Sequence, residues 1–387
     1  MDKRFLAVLF GIVLILSVTV VVILTAKGYR PNFEDKTVDI TGILVATSDP
    51  DGASVFIDGK LKTATNTTAN LKPGKYLIKI AKDGYYDWEK QVEIKKEEVF
   101  KTNVFLFPRA ADLRPITLNG ASNPVLSPDE SRIAFTVASA SATATGIYTL
   151  SMSGVPVINN VNIRQIFRDN GLALSKVEGL IWSADDTQLI ASQSGKYYML
   201  DTDKMTVSPT IISNTQLEVL KTGWQQESEM KAKSQLSKLH NNLPIADFKF
   251  SPDETKILYT ASASATLAAP IINLPGSNPT PETRNLEKGK TYVYDLKEDR
   301  NYEISSANRA DQISNFRWFV TSRHLVVNEG KQITVMEYDG TNKSVMYAGP
   351  FVDNYVYVWP NWSKIVILTN LNTASTVGEN LYTINLR

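Results

Sequence analysis

A short phrase recurs along the C-terminal two-thirds of this 387-residue chain. Asn123-Pro124-Val125-Leu126-Ser127-Pro128-Asp129-Glu130 leads into Arg132-Ile133-Ala134-Phe135. Gly179-Leu180-Ile181-Trp182-Ser183-Ala184-Asp185-Asp186 leads into Gln188-Leu189-Ile190-Ala191 in the same way. Ala246-Asp247-Phe248-Lys249-Phe250-Ser251-Pro252-Asp253-Glu254 leads into Lys256-Ile257-Leu258-Tyr259. Looser copies stand at Asn315-Phe316-Arg317-Trp318 and at residues 355–360. Aligned on the serine, the five copies fall at Ser127, Ser183, Ser251, Phe319 and Trp359, spaced by 56, 68, 68 and 40 residues. The shortest spacing suits one four-stranded propeller blade, and the longer ones suit blades that carry insertions. The repeat predicts an all-β fold with a propeller of about five blades over residues 109–387. Residues 113–118 are placed to supply the last blade's outer strand, which would leave the ring without an open edge.

The repeated residues read as architecture. Proline presets φ, and Ser or Asp oxygens satisfy nearby backbone N–H groups. Ser127, Pro128, Asp129, Ser183, Asp185, Ser251, Pro252 and Asp253 are therefore expected to build blade turns, not to catalyse or to bind metal. Asp201-Thr202-Asp203 has a calcium-like spacing, but no Gly and Glu follow at the positions an EF-hand needs, so a solvated turn is expected. The chain has no Cys and only two His, His240 and His324, which excludes thiolate chemistry and leaves little material for His-based catalysis. Forty-one basic residues against 40 acidic ones offer no polyanion-binding surface, so no nucleic-acid partner is expected. No nucleotide-, metal- or serine-hydrolase motif occurs, and no cofactor is expected.

From Phe5 to Ala26 the chain runs 22 residues without a charge. As a helix this run would extend about 33 Å, enough to cross a bilayer core of about 30 Å. A cleaved signal peptide would have a shorter apolar region and a small-x-small site, and Leu24-Thr25-Ala26 lacks the first small residue. The run is read as an uncleaved anchor after a short tail (1–4). Basic residues on its two sides nearly balance, so the flanks do not set its orientation. Residues 27–42 are polar and aperiodic and read as a juxtamembrane linker.

Next come closely spaced turn signals: Asp58-Gly59 for a tight hairpin, Pro73-Gly74, and Asp83-Gly84. Short alternating strands between them predict a small β-sandwich. Ser48-Asp49-Pro50-Asp51-Gly52-Ala53, Ile57-Asp58-Gly59-Lys60, Leu71-Lys72-Pro73-Gly74-Lys75-Tyr76 and Asp83-Gly84-Tyr85 together resemble the PEGA domain over residues 43–108. The family's Glu is Asp51 here, and Thr65-Asn66 stands where Thr-Pro is usual. The resemblance implies an envelope module without catalysis. The repeat over 109–387 resembles the TolB-like, or WD40-like, β-propeller. The Gly that this family places after Asp is Glu130, Asp186 and Glu254 here, so the turn must tolerate a side chain.

Two insertions break the repeat. Residues 215–242 read as a helix with Leu217, Leu220, Trp224, Leu236 and Leu239 on one side, expected to cap the propeller. Residues 261–289 read as a long mobile loop. Tyr85, Tyr86, Trp88 and Trp224 are candidate contacts for a glycan or protein, against the plainer expectation that such rings pack a core. The combined reading is a bacterial, single-pass protein of the cytoplasmic membrane, with its C-terminal domains outside the cytoplasm. Its PEGA spacer would present a non-enzymatic propeller to an extracytoplasmic protein or cell-wall glycan. The alternatives are a hydrolase- or lyase-type propeller with its site at the central mouth, or a self-assembling surface lattice.

Overall fold

The computed structural model describes residues 3–26, 29–32, 37–152, 162–237, 243–270, 274–304, 312–360, 363–371 and 378–387. The chain divides into two compact units, one formed by 1–109 with 268–282 and 298–300, the other by the remainder of 110–387.

The first unit opens with helix α1, Lys3–Ala26. Its stretch Val8–Thr25 has a mean hydropathy of 3.0 and no residue buried against the rest of the protein. A helix this apolar and this long can cross a membrane. Within the expected linker, the described residues Tyr29–Asn32 pair antiparallel with Thr37–Ile40. Strands of four residues are too short for a two-residue period to stand out from the segment around them.

The sandwich that follows has a three-stranded sheet and a four-stranded one. Gly42–Asp49 runs parallel to Val99–Phe105 and antiparallel to Thr67–Leu71. Ser54–Ile57, Lys60–Ala64, Gly74–Ala81 and Trp88–Ile94 form the other sheet. Strand Gly42–Asp49 alternates buried and half-buried residues, as a strand covered on one face must. Leu44, Ala46, Val55, Ile78, Ile80 and Val92 fill the space between the sheets. At the predicted hairpin, Asp58 and Gly59 both take positive φ, 50° and 76°, the pair of values a type I′ turn requires.

The segment 268–282, which falls inside the expected loop 261–289, belongs to this first unit. Asn278 there is buried; it accepts a hydrogen bond from Lys90 Nζ (3.4 Å), and its N–H donates to Glu298 (2.8 Å). Elsewhere in that range Ala265–Thr266 pairs with Asn285–Leu286. The Ala-, Ser- and Pro-rich composition hid these short pairings.

The second unit contains five four-stranded antiparallel sheets among the described residues. Blade 1 is Ser122–Leu126, Arg132–Val137, Gly146–Ser151 and Asn162–Arg168. Blade 2 is Gly179–Trp182, Gln188–Gln193, Lys196–Asp201 and Thr210–Ile212. Blade 3 is Ile245–Phe250, Lys256–Ala261, Thr291–Asp295 and Arg300–Ile304. Blade 4 is Phe316–Trp318, His324–Asn328, Ile333–Glu337 and Ser344–Tyr347. Blade 5 takes Val356–Val358, Lys364–Thr369 and Asn380–Asn385 from the C-terminal end of the chain, and its outer strand, Asp112–Pro115, from before blade 1. Leu113 faces Ile384 and Arg114 faces Thr383 across that join. The Ile116 N–H donates to Leu381 O (2.7 Å) and continues it. A ring closed this way leaves no unpaired strand at the seam.

Helix α2, Asn214–Leu236, is inserted between blades 2 and 3. Ser213 and Gln216 form a reciprocal capping box at its start. Leu217, Leu220 and Trp224 lie against Ile190 and Ile212 of blade 2, while Leu236 joins the core of blade 3. The predicted apolar side is thus the packed side. Leu239 and His240 lie outside the described residues, as does the rest of the expected helix beyond Ser237.

Candidate functional site

The site is built from the repeated turns. Ser127 Oγ donates to Asp129 Oδ1 (2.6 Å) and accepts from the Arg132 N–H (2.9 Å). Ser183 does the same with Asp185 and Gln188, and Ser251 with Asp253 and Lys256. All three serines are buried at 2 % exposure. Pro128 and Pro252 occupy the exposed corners of their turns. The hydroxyls thereby satisfy backbone groups that would otherwise be stranded. Burial works against the charges of Asp129 and Asp253, but the hydrogen bonds from Ser127, Ser131, Ser251 and Thr255 outweigh it and hold both carboxyls below their usual range. Hydrogen bonds from Ser183 and Thr187 do the same for Asp185.

After each Asp the chain must turn left-handed. Glu130, Asp186 and Glu254 stand there with φ of 60°, 61° and 54°, and Ser322 takes 56° in blade 4. Glycine would adopt that conformation without cost, and these side chains bear strain instead.

Side-chain hydrogen bonds join the first strands at three of the blade junctions. Trp182 Nε1 donates to Val125 O of blade 1, and Trp318 Nε1 to Lys249 O of blade 3, both at 3.0 Å. Tyr357 of blade 5 donates to Pro124 O of blade 1 (2.9 Å), across the seam. These strands therefore line the axis of the ring. Two positions before the aligned serine they carry Val125, Ile181, Lys249, Arg317 and Tyr357. Val125 and Ile181 pack in apolar clusters. Lys249 and Arg317 put two cations into equivalent positions of adjacent blades.

Both cations are half-buried. Lys249 Nζ donates to Ile313 O (3.3 Å) and Phe316 O (3.1 Å). Arg317 Nη1 donates to Ser314 O (2.8 Å) and to the same Phe316 O (3.0 Å). Burial, reinforced by the charge of Arg317, pulls Lys249 down to about 8 from its ordinary 10.5, against the opposing pull of Glu130 and Asp247. Arg317 Nε is buried and has no hydrogen-bond partner among the described residues.

Above these groups opens a recess of about 450 Å³, lined by turns of blades 1, 3, 4 and 5 and by Lys231 and Gln235 of α2. Arg317 also lines a second recess of about 240 Å³ with Ser314, Asn315, Asn328 and Asn354, at the other end of the first strands. The sequence singled out neither Lys249 nor Arg317. Their signal was present in the aligned repeat, as two charges in a column otherwise neutral.

The aromatic candidates fall elsewhere. Trp88 is 6 % exposed within the sandwich core, so that ring is not offered to a ligand. Tyr85 is half-buried against the same core, and the Arg109 guanidinium covers Tyr86, 5.4 Å from its ring centre. Trp224 is half-buried between α2 and blade 2. Tyr85, Tyr86 and Trp88 belong to the first unit and Trp224 to the second. His324 is 4 % exposed, with Thr321 Oγ1 2.7 Å from Nδ1, and His240 lies outside the described residues. Asp201 and Asp203 are engaged by Lys204 and Arg132 at 3.2 and 3.0 Å. No group of three metal-ligating side chains occurs among the described residues.

Comparison with known proteins adds one family. Residues 41–109 match the PEGA domain. No curated protein matches the chain. Among solved structures, a protein described as TolB from Agrobacterium tumefaciens is similar at 13 % identity and a TM-score of 0.23, covering 67 % of this chain and 77 % of its own. TolB from Acinetobacter baumannii is similar at 12 % identity and the same TM-score, covering 80 % of this chain; the chain spans 59 % of that protein's length. The propeller is defined by its five four-stranded sheets and the closing strand Asp112–Pro115.

Proposed function

We propose that the protein is a membrane-anchored, non-enzymatic binding module of the bacterial cell envelope, in which the PEGA sandwich follows the anchor and the propeller mouth receives an extracytoplasmic partner. The observation that carries this reading is the 450 Å³ recess, lined by residues of four blades, with the turns of blades 1 and 3 tied by Ser–Asp hydrogen bonds. Binding sites favour concave surfaces with a few converging polar groups on a stiff frame. The apolar α1, whose stretch Val8–Thr25 has no residue buried among the described residues, supports anchoring. The partner is a protein or a cell-wall glycan.

Lys231, exposed on α2 and lining the recess, provides the test. A photo-crosslinking amino acid at position 231 should give one discrete adduct in intact cells, and the same probe at Lys204 of blade 2 should give none. Absence of any adduct at 231 would contradict the reading. So would glycoside or peptide hydrolysis by the full chain that disappears when Glu130 or Glu254 is replaced. Protease added to intact cells of a wall-stripped or outer-membrane-permeabilised preparation should degrade the propeller; a protected propeller would reverse the proposed orientation.

A further inference from the structure

The axial cations point to the chemistry of what the mouth receives. We infer that Arg317 and Lys249 form an oxyanion site, which takes a carboxylate or phosphate group of the ligand at the ring's axis. This deepens the binding reading above and rests on it.

Three observations converge. Placing a cation in a half-buried position costs free energy unless a counter-charge or hydrogen bonds compensate it. Three of the five equivalent positions avoid that cost with Val125, Ile181 and Tyr357, and two adjacent ones accept it. Neither Lys249 nor Arg317 makes an ion pair among the described residues, although Glu130 and Asp247 act on Lys249 from a distance. Among the described residues their hydrogen-bond acceptors are main-chain carbonyls alone, and they share that of Phe316.

The guanidinium is moreover used on one side only. Nη1 makes both of its hydrogen bonds, Nε is buried without a partner, and Nη2 makes none among the described residues. Nε and Nη2 together form the edge that grips two oxygens of a carboxylate or phosphate in parallel. An oxyanion on that edge would satisfy the buried Nε and neutralise the repulsion between the two cations. The carbonyls hold both side chains in place beforehand, so little ordering is left to the ligand. Glu130 and Glu254, both exposed, line the same recess and disfavour anions that do not reach the pair.

The test is a thermal-unfolding titration of the full chain in detergent micelles with sodium phosphate and, separately, sodium acetate. Sodium chloride holds ionic strength constant and serves as the control. The wild type should show a saturable rise in midpoint with at least one oxyanion, and whichever of phosphate and acetate binds tighter identifies the source of the group. Arg317→Gln should weaken binding about tenfold or more, the value of one charged hydrogen-bonded pair. Arg317→Lys, which keeps the charge and loses the fork, should weaken it as well, and so should Lys249→Met. If Arg317→Gln fails to unfold cooperatively, the other two variants decide. No saturable rise above chloride, or an equal rise in the variants, would overturn the inference. If a crosslinked adduct still forms at position 231, the oxyanion inference alone is lost and the binding reading stands.

Discussion

At the scale of single residues, the turns show how one column of the repeat can be read for structure and another for chemistry. Ser251 is buried and carries the Lys256 N–H, so Ser251→Ala strands a backbone donor and should cost about 1–3 kcal/mol in chemical denaturation. Glu130, at φ 60°, can become glycine without new strain, whereas Glu130→Val puts a β-branched side chain into the left-handed region and should cost about 1–3 kcal/mol. Lys249 makes the sign of a pH effect explicit. Its folded value, about 8, lies below the ordinary 10.5, so its protonated form opposes folding. The penalty is complete below about pH 8 and fades as the pH rises from 8 towards 10.5. The groups that set it are Arg317, which lowers the value, and Glu130 and Asp247, which raise it. The wild type should therefore gain stability relative to Lys249→Met across that window. A difference between the two proteins that stays flat from pH 7 to 10 would contradict the burial of this lysine; buried Tyr259 and Tyr357, both raised by burial, titrate alike in both proteins and cancel.

At the scale of elements, legibility followed the length and regularity of each pattern. Helix α2 was readable because Leu217, Leu220 and Trp224 recur at helical spacing, and its start is fixed by Ser213 and Gln216. Ser213→Ala should lower stability by about 1 kcal/mol and loosen the first turn, seen as faster amide exchange at residues 214–217. The Asp58-Gly59 hairpin was readable because a two-residue turn with positive φ selects those residue types. The pairing of Tyr29–Asn32 with Thr37–Ile40 was not, since strands of four residues are too short for a period to stand out. Asn278 was hidden for a different reason. Its burial depends on Lys90 and Glu298, 188 and 20 residues away, and no local pattern records such a contact. The cation pair at the axis was legible only in register: neither residue is unusual alone, and both stand out once Val125 and Ile181 are placed in the same column.

At the scale of the whole molecule, the mouth exists only because the ring is closed. Residues 112–115 complete a sheet whose other strands come from about 250 residues later in the chain, so closure ties the two ends of the propeller together. The sequence left this as an expectation drawn from a spare strand pattern near residue 113 and a chain ending on a third strand. Pairing Leu113 with Ile384, and the Ile116 N–H with Leu381 O, gives it a physical form. Amide hydrogen exchange on the full chain in detergent micelles measures that closure directly. Closure predicts that the Ile116 amide is protected to the same degree as the strand Asn380–Asn385 and exchanges with it in one cooperative step. An Ile116 amide that exchanges at the rate of an unstructured peptide, while Lys364–Thr369 stays protected, would contradict it.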